Sequence, residues 1–402
     1  MKKKHDMGLI IKMLIGIAIG VGAGLIINEK AMMVILTIKE ILGSIIFFTV
    51  PLVIFGFITP AITSLKNNAS KMLGAMALMC YLSAVGAATM SAIAGYIIIP
   101  HFNIASEAAK LQKLPKVIFQ LKIDPVMPVM TALVLAIFVG VSVIWTKAEV
   151  MDKLLNELQK MVLAIITRIV VPILPIFISA TFSELAYTGS LTKQLPVFLK
   201  VIIIVLIGHF IWLTILYSLA GAISKQNPLE VVKHYLPAYL TAVGTMSSAA
   251  ALPVSLKCAH KSKVLIPEVV DFAIPLGATT HLCGSVLTET FFCFTISKIL
   301  YGTLPPVGTV VLFIILFGIF AIGAPGVPGG TVMASLAIVT GVLGFDASGV
   351  GLLMAIFALQ DSFGTACNIT GDGALALMLR GIFYDKDGKL KSNKNKVEQA
   401  SI

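Results

Sequence analysis

The chain has 402 residues, of which 58% are hydrophobic and only 12% are charged, and its formal net charge is +11. This composition excludes a soluble globular domain and is typical of a protein with several membrane-spanning segments. A net positive charge would suggest a nucleic-acid partner for a soluble protein, but the lysines here cluster between apolar segments, where membrane topology accounts for them.

Eight apolar segments are predicted as membrane-spanning helices. They cover about residues 7–27, 32–65, 72–100, 125–146, 161–188, 195–222, 264–300 and 351–380. The basic start of the chain resembles a signal peptide, but the length of the first apolar segment favours a retained helix. Several segments exceed the thickness of a bilayer, which predicts tilted or kinked helices.

Two further regions are interrupted by small-residue tips. One runs from Pro228 to Ala259 with the tip GTMSSAAALP, and the other from Val307 to Gly344 with the tip GAPGVPGG. Because their arms are too short to span a bilayer comfortably, each region predicts a re-entrant helical hairpin. A kinked, tightly packed helix pair is the alternative for each. Two such regions, each followed by a full-length span, favour hairpins within an inverted repeat.

Lysine placement predicts the orientation. One side of the predicted topology collects Lys2, Lys3, Lys4, Lys66, Lys71, Lys225, Lys233, Lys257, Lys261, Lys263 and the tail after Arg380. The positive-inside rule makes that side cytoplasmic, so both termini are expected inside, at the plasma membrane. The segment His101 to Asp124 carries four lysines on the opposite side. Long loops weigh less in the rule, so the prediction stands.

The segment from Gln360 to Gly373 carries polar residues inside an apolar run. Spacings of four, three and four place four of them on one helix face: Asp361, Thr365, Asn368 and Asp372. An ionised aspartate costs several kcal/mol in hydrocarbon, so this polar stripe is expected to face a protein interior that holds an ion or a polar ligand.

The segment 264–300 is expected to be unwound in its middle, because it contains Pro275, Gly277 and Gly284. Unwinding frees backbone carbonyls, which together with the carboxylate of Asp372 would form an all-oxygen site for a small, hard cation such as sodium. Close helix packing is the alternative explanation for the glycines.

Ser247 and Ser248 lie at the first tip, where the N–H groups of a half-helix suit an α-carboxylate, although ordinary helix capping also explains serines there. Asp361 is expected to pair with an α-ammonium group. The only two arginines, Arg168 and Arg380, lie outside the tips and the polar stripe. The absence of a guanidinium for a second carboxylate argues for a neutral substrate side chain.

Two further polar residues lie in the segment 264–300. Glu289 is interpreted either as a proton carrier or as a neutral acid that is hydrogen-bonded within the bundle. His281 is expected to be a packed histidine that contributes its carbonyl, since no second histidine lies at the spacing of a metal site.

Four stretches together resemble the dicarboxylate/amino acid:cation symporter family, which has the glutamate-transporter fold. They are Thr241–Leu256, Ile274–Ser285, Gly323–Gly330 and Gln360–Asp372. The wording of Leu359–Asn368 is similar to the sodium/serine-threonine branch. The resemblance covers nearly the whole chain and implies an all-α protein with eight spans and two re-entrant hairpins. It also implies a homotrimer, in which an elevator-type transport domain of residues 223–380 moves against a scaffold of residues 1–222, with 381–402 as a cytoplasmic tail.

Residue by residue, the resemblance implies a substrate site and two sodium sites. The substrate site would comprise Met246, Ser247, Ser248, Ser285, Gly326, Val327, Pro328, Gly329, Asp361, Gly364, Thr365 and Asn368. One sodium site would use the carboxylate of Asp372 and backbone oxygens of Gly277, His281 and Asn368. The other would use backbone oxygens of Thr279, Leu282, Ala321, Ile322 and Ala324.

Three positions depart from the family pattern or extend it. The family's NMDGT motif reads HLCGS here, so Cys283 replaces its aspartate and a third sodium site is not supported. Gly364 stands where members with acidic substrates carry arginine, and it is expected to leave space for a somewhat larger neutral side chain. Glu289 stands where the animal carriers have a carboxylate implicated in proton coupling, so proton coupling stays open.

The sequence therefore predicts a secondary active symporter that couples inward sodium flow to the uptake of a small neutral amino acid such as serine, threonine or alanine. A proton- or sodium-coupled carrier of dicarboxylates or acidic amino acids is the alternative. An ion channel is the alternative from a different class. Enzymatic activity is not expected, because no HExxH or GxSxG motif is present.

Overall fold

The computed structural model describes residues 9–64, 71–102, 114–121, 123–324, 326, 328–385 and 388–391, and every named element in these ranges is helical, as predicted. Several predictions fall outside the described residues. They concern Lys2, Lys3, Lys4, Lys66, Val327, residues 103–113 and 122 of the segment from His101 to Asp124, and the tail beyond residue 391.

Seven α-helices lie in the described ranges of the first half of the chain. They are α1 (Leu9–Ile26), α2 (Glu29–Ser64), α3 (Lys71–Ile98), α4 (Val129–Thr146), α5 (Glu149–Ile165), α6 (Val171–Tyr187) and α7 (Ser190–Ser224). A 3₁₀ turn, Ile99–His101, extends α3, and a π-helical turn, Ile166–Val170, joins α5 to α6. The first six predicted segments correspond to α1, α2, α3, α4, α6 and α7.

The amphipathic helix α5 is not among the predicted segments. It buries Leu155 and Val162 and packs against α2, and the hydroxyl of Thr63 on α2 donates to Oδ1 of Asp152 at 2.6 Å. Its other charged residues, Glu149, Lys153, Glu157 and Lys160, are exposed. The axis bends by 47° between Glu149–Val170 and Pro172–Tyr187. The π-helical turn followed by Pro172 accounts for the bend, because both interrupt the regular hydrogen-bond ladder.

The second half consists of shorter helices and one long one. They are α8 (Leu229–Val232), α9 (Leu236–Thr245), α10 (Ser248–His260), α11 (Pro267–Thr280), α12 (Cys283–Tyr301), α13 (Val307–Gly323), α14 (Gly330–Gly341) and α15 (Ala347–Phe383). The helix pairs α9–α10 and α13–α14 lie where the two re-entrant hairpins are predicted. Helices α11 and α12 lie where a single segment, 264–300, is predicted.

Both helix pairs break at the predicted tips. Helix α9 ends at Met246, whose φ of 52° is left-handed, and α10 begins after Ser247, whose Oγ accepts a hydrogen bond from the N–H of Ala250 at 3.3 Å. Helix α14 begins after Gly329, which has a φ of 72° that suits glycine. Each tip therefore contains a residue with left-handed backbone, and a serine caps α10.

The break between α11 and α12 lies at His281 and Leu282, whose backbones are not helical. An unwound middle is therefore present, but the residues that predicted it lie inside the flanking helices. Gly277 is part of α11, and Gly284 is part of α12. An added Cβ at Gly284 would lie 2.4 Å from the Cβ of Cys367, so this glycine serves close helix packing.

Length and composition mark five helical stretches of the described ranges as candidate membrane spans, or six if the bent pair α5–α6 counts as one. The five are Glu29–Pro60, Lys71–His101, Pro196–Ser224, Pro267–Tyr301 and Ala347–Phe383. Parts of α1 and α4, Leu14–Ile26 and Val134–Thr146, are apolar but shorter. The total of eight spans therefore stays a prediction.

Helices α12 and α15 form the centre of the protein. Burial in α15 runs almost without interruption from Gly349 to Gly381, and in α12 it runs from Cys283 to Ser297. Helices α7, α9, α11 and α12 surround α15. A helix that is enclosed on all sides must satisfy its polar residues within the protein, so the polar stripe faces other helices rather than lipid.

Helix α1 crosses α6 along a row of glycines at positions 16, 20 and 24. An added Cβ at Gly20 would lie 2.2 Å from the backbone oxygen of Ser179, and Gly16 and Gly24 come similarly close to α6. The hydroxyl of Ser183 donates to the carbonyl of Gly20 at 2.9 Å. Small residues spaced four apart commonly allow such close contact between helices in membranes.

Replacing Gly20 by valine is expected to lower the midpoint of thermal unfolding in detergent, because α1 must move away from α6. Overpacking of this kind costs about 1–3 kcal/mol. Gly22→Val is the matched control, since an added Cβ there meets nothing within 4 Å. Heating followed by size-exclusion chromatography measures the midpoint. Equal losses in the two variants would contradict the proposed packing.

Candidate functional site

The tips of the two broken helix pairs meet. The hydroxyl of Ser247 donates to the carbonyl of Gly326 at 2.9 Å, and the N–H of Ala249 lies 3.5 Å from the same oxygen. Ser248 is buried as the first residue of α10. An added Cβ at Gly326 would lie 3.1 Å from the carbonyl oxygen of Ala278, so glycine permits this approach. The start of α10, the tip between α13 and α14 and the end of α11 are therefore in contact with one another.

Asp361 lies beside this junction and is 4% exposed. Its Oδ2 accepts a hydrogen bond from the N–H of Gly329 at 2.7 Å, and the hydroxyl of Thr365 lies 3.5 Å from its Oδ1. No lysine, arginine or histidine in the described part of the chain forms an ion pair with it. A buried carboxylate in this situation favours a ligand that brings a positive charge.

Asn368 joins α15 to the start of α12. Its Oδ1 accepts hydrogen bonds from the N–H groups of Gly284 at 2.7 Å and Ser285 at 3.2 Å. Its Nδ2 donates to the hydroxyl of Ser285 at 2.9 Å. The first N–H groups of a helix lack partners within that helix, so Asn368 caps α12 from a neighbouring helix. Its backbone oxygen stays a predicted sodium ligand.

Gly364 does not border open space in the direction of a side chain. An added Cβ would lie 3.3 Å from the backbone nitrogen and the Cα of Ser285. Helix α12 thus packs against the Cβ position of Gly364, and the space that this glycine leaves for a larger substrate side chain stays a prediction.

Met246, Gly329 and Asp361 line a cavity of ≈ 10 Å³ together with residues of α6 and α15. This volume accommodates about one water molecule and no amino acid. An amino acid could therefore bind at this cavity only if the residues that line it moved apart. Val327 belongs to the predicted substrate site but lies outside the described residues.

Asp372 is fully buried at the other end of the polar stripe. Its Oδ1 lies 3.0 Å from Nδ1 of His281, whereas its Oδ2 has no hydrogen-bond partner among the described residues. An added Cβ at Gly277 would lie 2.6 Å from Oδ1, so glycine lets the carboxylate approach α11. A buried oxygen without a partner is costly. A small cation bound there would satisfy it.

The residues of the second predicted sodium site lie in two parts of the chain, at the end of α11 and at the end of α13. Thr279 is exposed at the end of α11, and Leu282 is buried in the break that follows. Ala321 and Ala324 are buried at the end of α13, with Ile322 half-buried between them. Their grouping around one ion stays a prediction.

Glu289 is fully buried in α12. The hydroxyl of Ser335 on α14 donates to its Oε1, while Oε2 has no partner in the described part of the chain. Glu289 is thus hydrogen-bonded within the bundle, which is one part of the interpretation as a neutral, hydrogen-bonded acid. The other interpretation, a proton carrier, stays a prediction.

Three contacts near the site come from helices that carry no motif. Ser83 on α3 lies 2.8 Å from Nε2 of His281. His209 on α7 lies 2.8 Å from the hydroxyl of Thr288 and 3.1 Å from the carbonyl of Gly284. In the sequence, Ser83 and His209 are marked only as polar residues within apolar runs. That signal does not indicate which residues they contact.

Comparison with known proteins places this arrangement in a family. The family model described as the sodium:dicarboxylate symporter family matches residues 9–382. The chain belongs to this family. Sodium:dicarboxylate symporters are multi-pass membrane transporters rather than enzymes, and sodium is the co-transported ion that the family's description names.

Curated relatives match part of this symporter chain. It is 30% identical over 181 residues to excitatory amino acid transporter 2 of Homo sapiens, covering 45% of this chain and 31% of the relative. It is 29% identical over 168 residues to the putative sodium-dependent excitatory amino acid transporter glt-4 of Caenorhabditis elegans, covering 42% and 33%. Excitatory amino acid transporter 1 of Homo sapiens is 28% identical over 225 residues, covering 56% and 40%. The chain therefore spans less than half the length of these relatives.

Proposed function

We propose that this protein is a secondary active symporter that couples inward sodium flow to the uptake of an amino acid or dicarboxylate. The observation that carries the proposal is the pair of buried aspartates on α15. Asp361 would bind a substrate ammonium group at the junction of the tips, and Asp372 would bind sodium through Oδ2, its unpartnered oxygen. Each captured cation would neutralise one buried carboxylate.

The comparisons support an acidic amino acid or a dicarboxylate better than the neutral amino acid expected from the sequence. The family's description names dicarboxylates, and the names of the relatives specify excitatory amino acids. A neutral substrate is the second candidate because of one observation. Glycine at position 364 supplies no guanidinium, and the two arginines lie elsewhere, Arg168 in the turn between α5 and α6 and Arg380 near the end of α15.

We infer an elevator mechanism in a homotrimer with eight spans and two re-entrant hairpins. Every residue predicted to bind substrate or sodium lies within residues 223–380, which supports their movement as one transport domain against residues 1–222. The contact between Gly329 and Asp361 supports the α13–α14 tip as the outer gate, since substrate entry must break it. Lysine placement supports cytoplasmic termini in the plasma membrane.

Uptake into proteoliposomes tests the coupling. An inward sodium gradient is expected to drive labelled amino acid above its equilibrium concentration, and replacing external sodium by choline should remove the accumulation. Accumulation under a proton gradient but not a sodium gradient would contradict sodium coupling. Ion flux that is independent of substrate, without accumulation, would favour the channel alternative.

Competition in the same assay separates the substrate classes. Aspartate and succinate are expected to inhibit uptake if an acidic group is recognised, whereas serine, threonine and alanine should inhibit if the neutral class is correct. Inhibition by the neutral panel alone would reject the acidic class that the comparisons favour.

A further inference from the structure

The side chain of His281 bridges two helices that are far apart in the sequence. It lies in the break between α11 and α12 and is 0% exposed. Its Nδ1 is 3.0 Å from Oδ1 of Asp372 on α15, and its Nε2 is 2.8 Å from Oγ of Ser83 on α3. The sequence assigns His281 only a backbone role, so this side-chain bridge is additional.

Neighbouring glycines make room for the bridge. An added Cβ at Gly371 would lie 2.7 Å from Cε1 of the His281 ring. An added Cβ at Gly277 would lie 2.6 Å from Oδ1 of Asp372. Any side chain at either position would displace the ring or the carboxylate. The geometry therefore depends on residues of α3, α11 and α15 and of the break between α11 and α12.

Hydrogen-bond chemistry determines which atom donates. A carboxylate that serves as a cation ligand is ionised and only accepts, so Nδ1–H of His281 donates to Oδ1 of Asp372. The Nε2 of a neutral imidazole then accepts the hydroxyl hydrogen of Ser83. All the polar atoms of this chain of contacts are satisfied except Oδ2 of Asp372, which has no partner within the described ranges.

We propose that His281 is a positioning residue of the cation site. Its ring holds Oδ1 of Asp372, directs Oδ2 towards the ion and connects the ion site to α3 through Ser83. This inference rests on the proposed sodium coupling. Hydrogen-bond partners of ligating groups set the orientation of those groups, and their loss typically lowers metal affinity by about 10- to 100-fold.

The bridge also sets the class of ion. The hydrogen bond from His281 occupies one acceptor position of Oδ1, which disfavours bidentate binding of an ion by Asp372. Calcium takes about 6–8 oxygen ligands, often including a bidentate carboxylate. One carboxylate oxygen with backbone carbonyls suits a small monovalent cation better. His281 therefore favours sodium over calcium.

Sodium-dependent thermal stabilisation of the purified chain in detergent, without substrate, tests the proposal. Sodium chloride replaces choline chloride at constant ionic strength, and the sodium concentration that gives half the stabilisation is the readout. His281→Ala and Gly371→Ala are expected to require roughly 10- to 100-fold more sodium. Ser83→Ala keeps the bond to Asp372 and should show a smaller shift in the same direction. The ratio of the calcium to the sodium midpoint should fall in His281→Ala.

A purely structural role predicts a different pattern. His281→Ala would then lower the unfolding temperature equally with and without sodium, as expected for the packing variant Gly20→Val, and its sodium midpoint would equal that of the wild type. That result would overturn the proposal and leave sodium coupling intact. If His281→Ala fails to fold, unchanged sodium midpoints in both Ser83→Ala and Gly371→Ala would overturn it. A wild-type chain that sodium does not stabilise would overturn the proposed coupling together with this inference.

Discussion

Changing Asp361 to asparagine is expected to abolish substrate accumulation while leaving the fold intact. The amide oxygen of asparagine can still accept the hydrogen bond that Gly329 donates to Oδ2 at 2.7 Å. The variant loses the charge, which we propose pairs with the substrate's ammonium group. Leaving one partner of a buried ion pair without the other costs about 3–5 kcal/mol, which corresponds to roughly 150- to 5,000-fold in affinity.

Uptake into proteoliposomes under a sodium gradient measures the effect. Asp346→Asn is the matched control, because it removes one negative charge from the same helix outside the site. Asp346 caps α15 by accepting a hydrogen bond from the N–H of Gly349 at 2.9 Å, and asparagine caps a helix equally well. Full uptake by Asp361→Asn, or equal losses in both variants, would remove the assigned role of Asp361.

The ends of the helices near the site were predictable where the signal is local. Gly329 adopts the positive φ that glycine favours, and Ser247 caps α10, so residue type predicts the starts of α14 and α10. The left-handed backbone of Met246, where α9 ends, has no such signal. The break between α11 and α12 was predicted from Pro275, Gly277 and Gly284 but lies between them, at positions 281 and 282. Glycine in a membrane helix serves close packing as well as unwinding, and the sequence does not distinguish the two.

The polar stripe was predictable as a face, but its partners were not. All four residues of the stripe are buried, as expected for polar residues that share one helix face turned to the protein interior. Asp361 contacts the start of α14, Asn368 caps α12, and Asp372 contacts His281 in the break before α12. These partners come from two places in the chain, residues 281–285 and Gly329, and such long-range pairing has no signal in one sequence. The same limit explains why the sequence did not identify Ser83 as a partner of His281.

Changing Asp372 to asparagine is expected to remove the stabilisation of the protein by sodium and, with it, sodium-driven uptake. The amide oxygen can take the place of Oδ1 and accept from Nδ1–H of His281, so the bridge to α3 can persist. The amide nitrogen then replaces the unpartnered Oδ2 and presents hydrogens where the cation would bind. Loss of the buried charge partner corresponds to about 3–5 kcal/mol, so sodium binding should weaken by at least roughly 100-fold.

The two aspartate variants separate the ion from the substrate. Asp361 and Asp372 lie eleven residues apart on α15, which is about 16 Å along a helix axis. Asp361→Asn should therefore retain sodium-dependent thermal stabilisation and lose the additional stabilisation by substrate. Asp372→Asn should lose both, because substrate binding is coupled to the ion. A normal sodium midpoint in Asp372→Asn would contradict the role of Asp372 as a sodium ligand. The sodium site would then be assigned to the carbonyl oxygens around α11 and α13, which do not depend on this carboxylate.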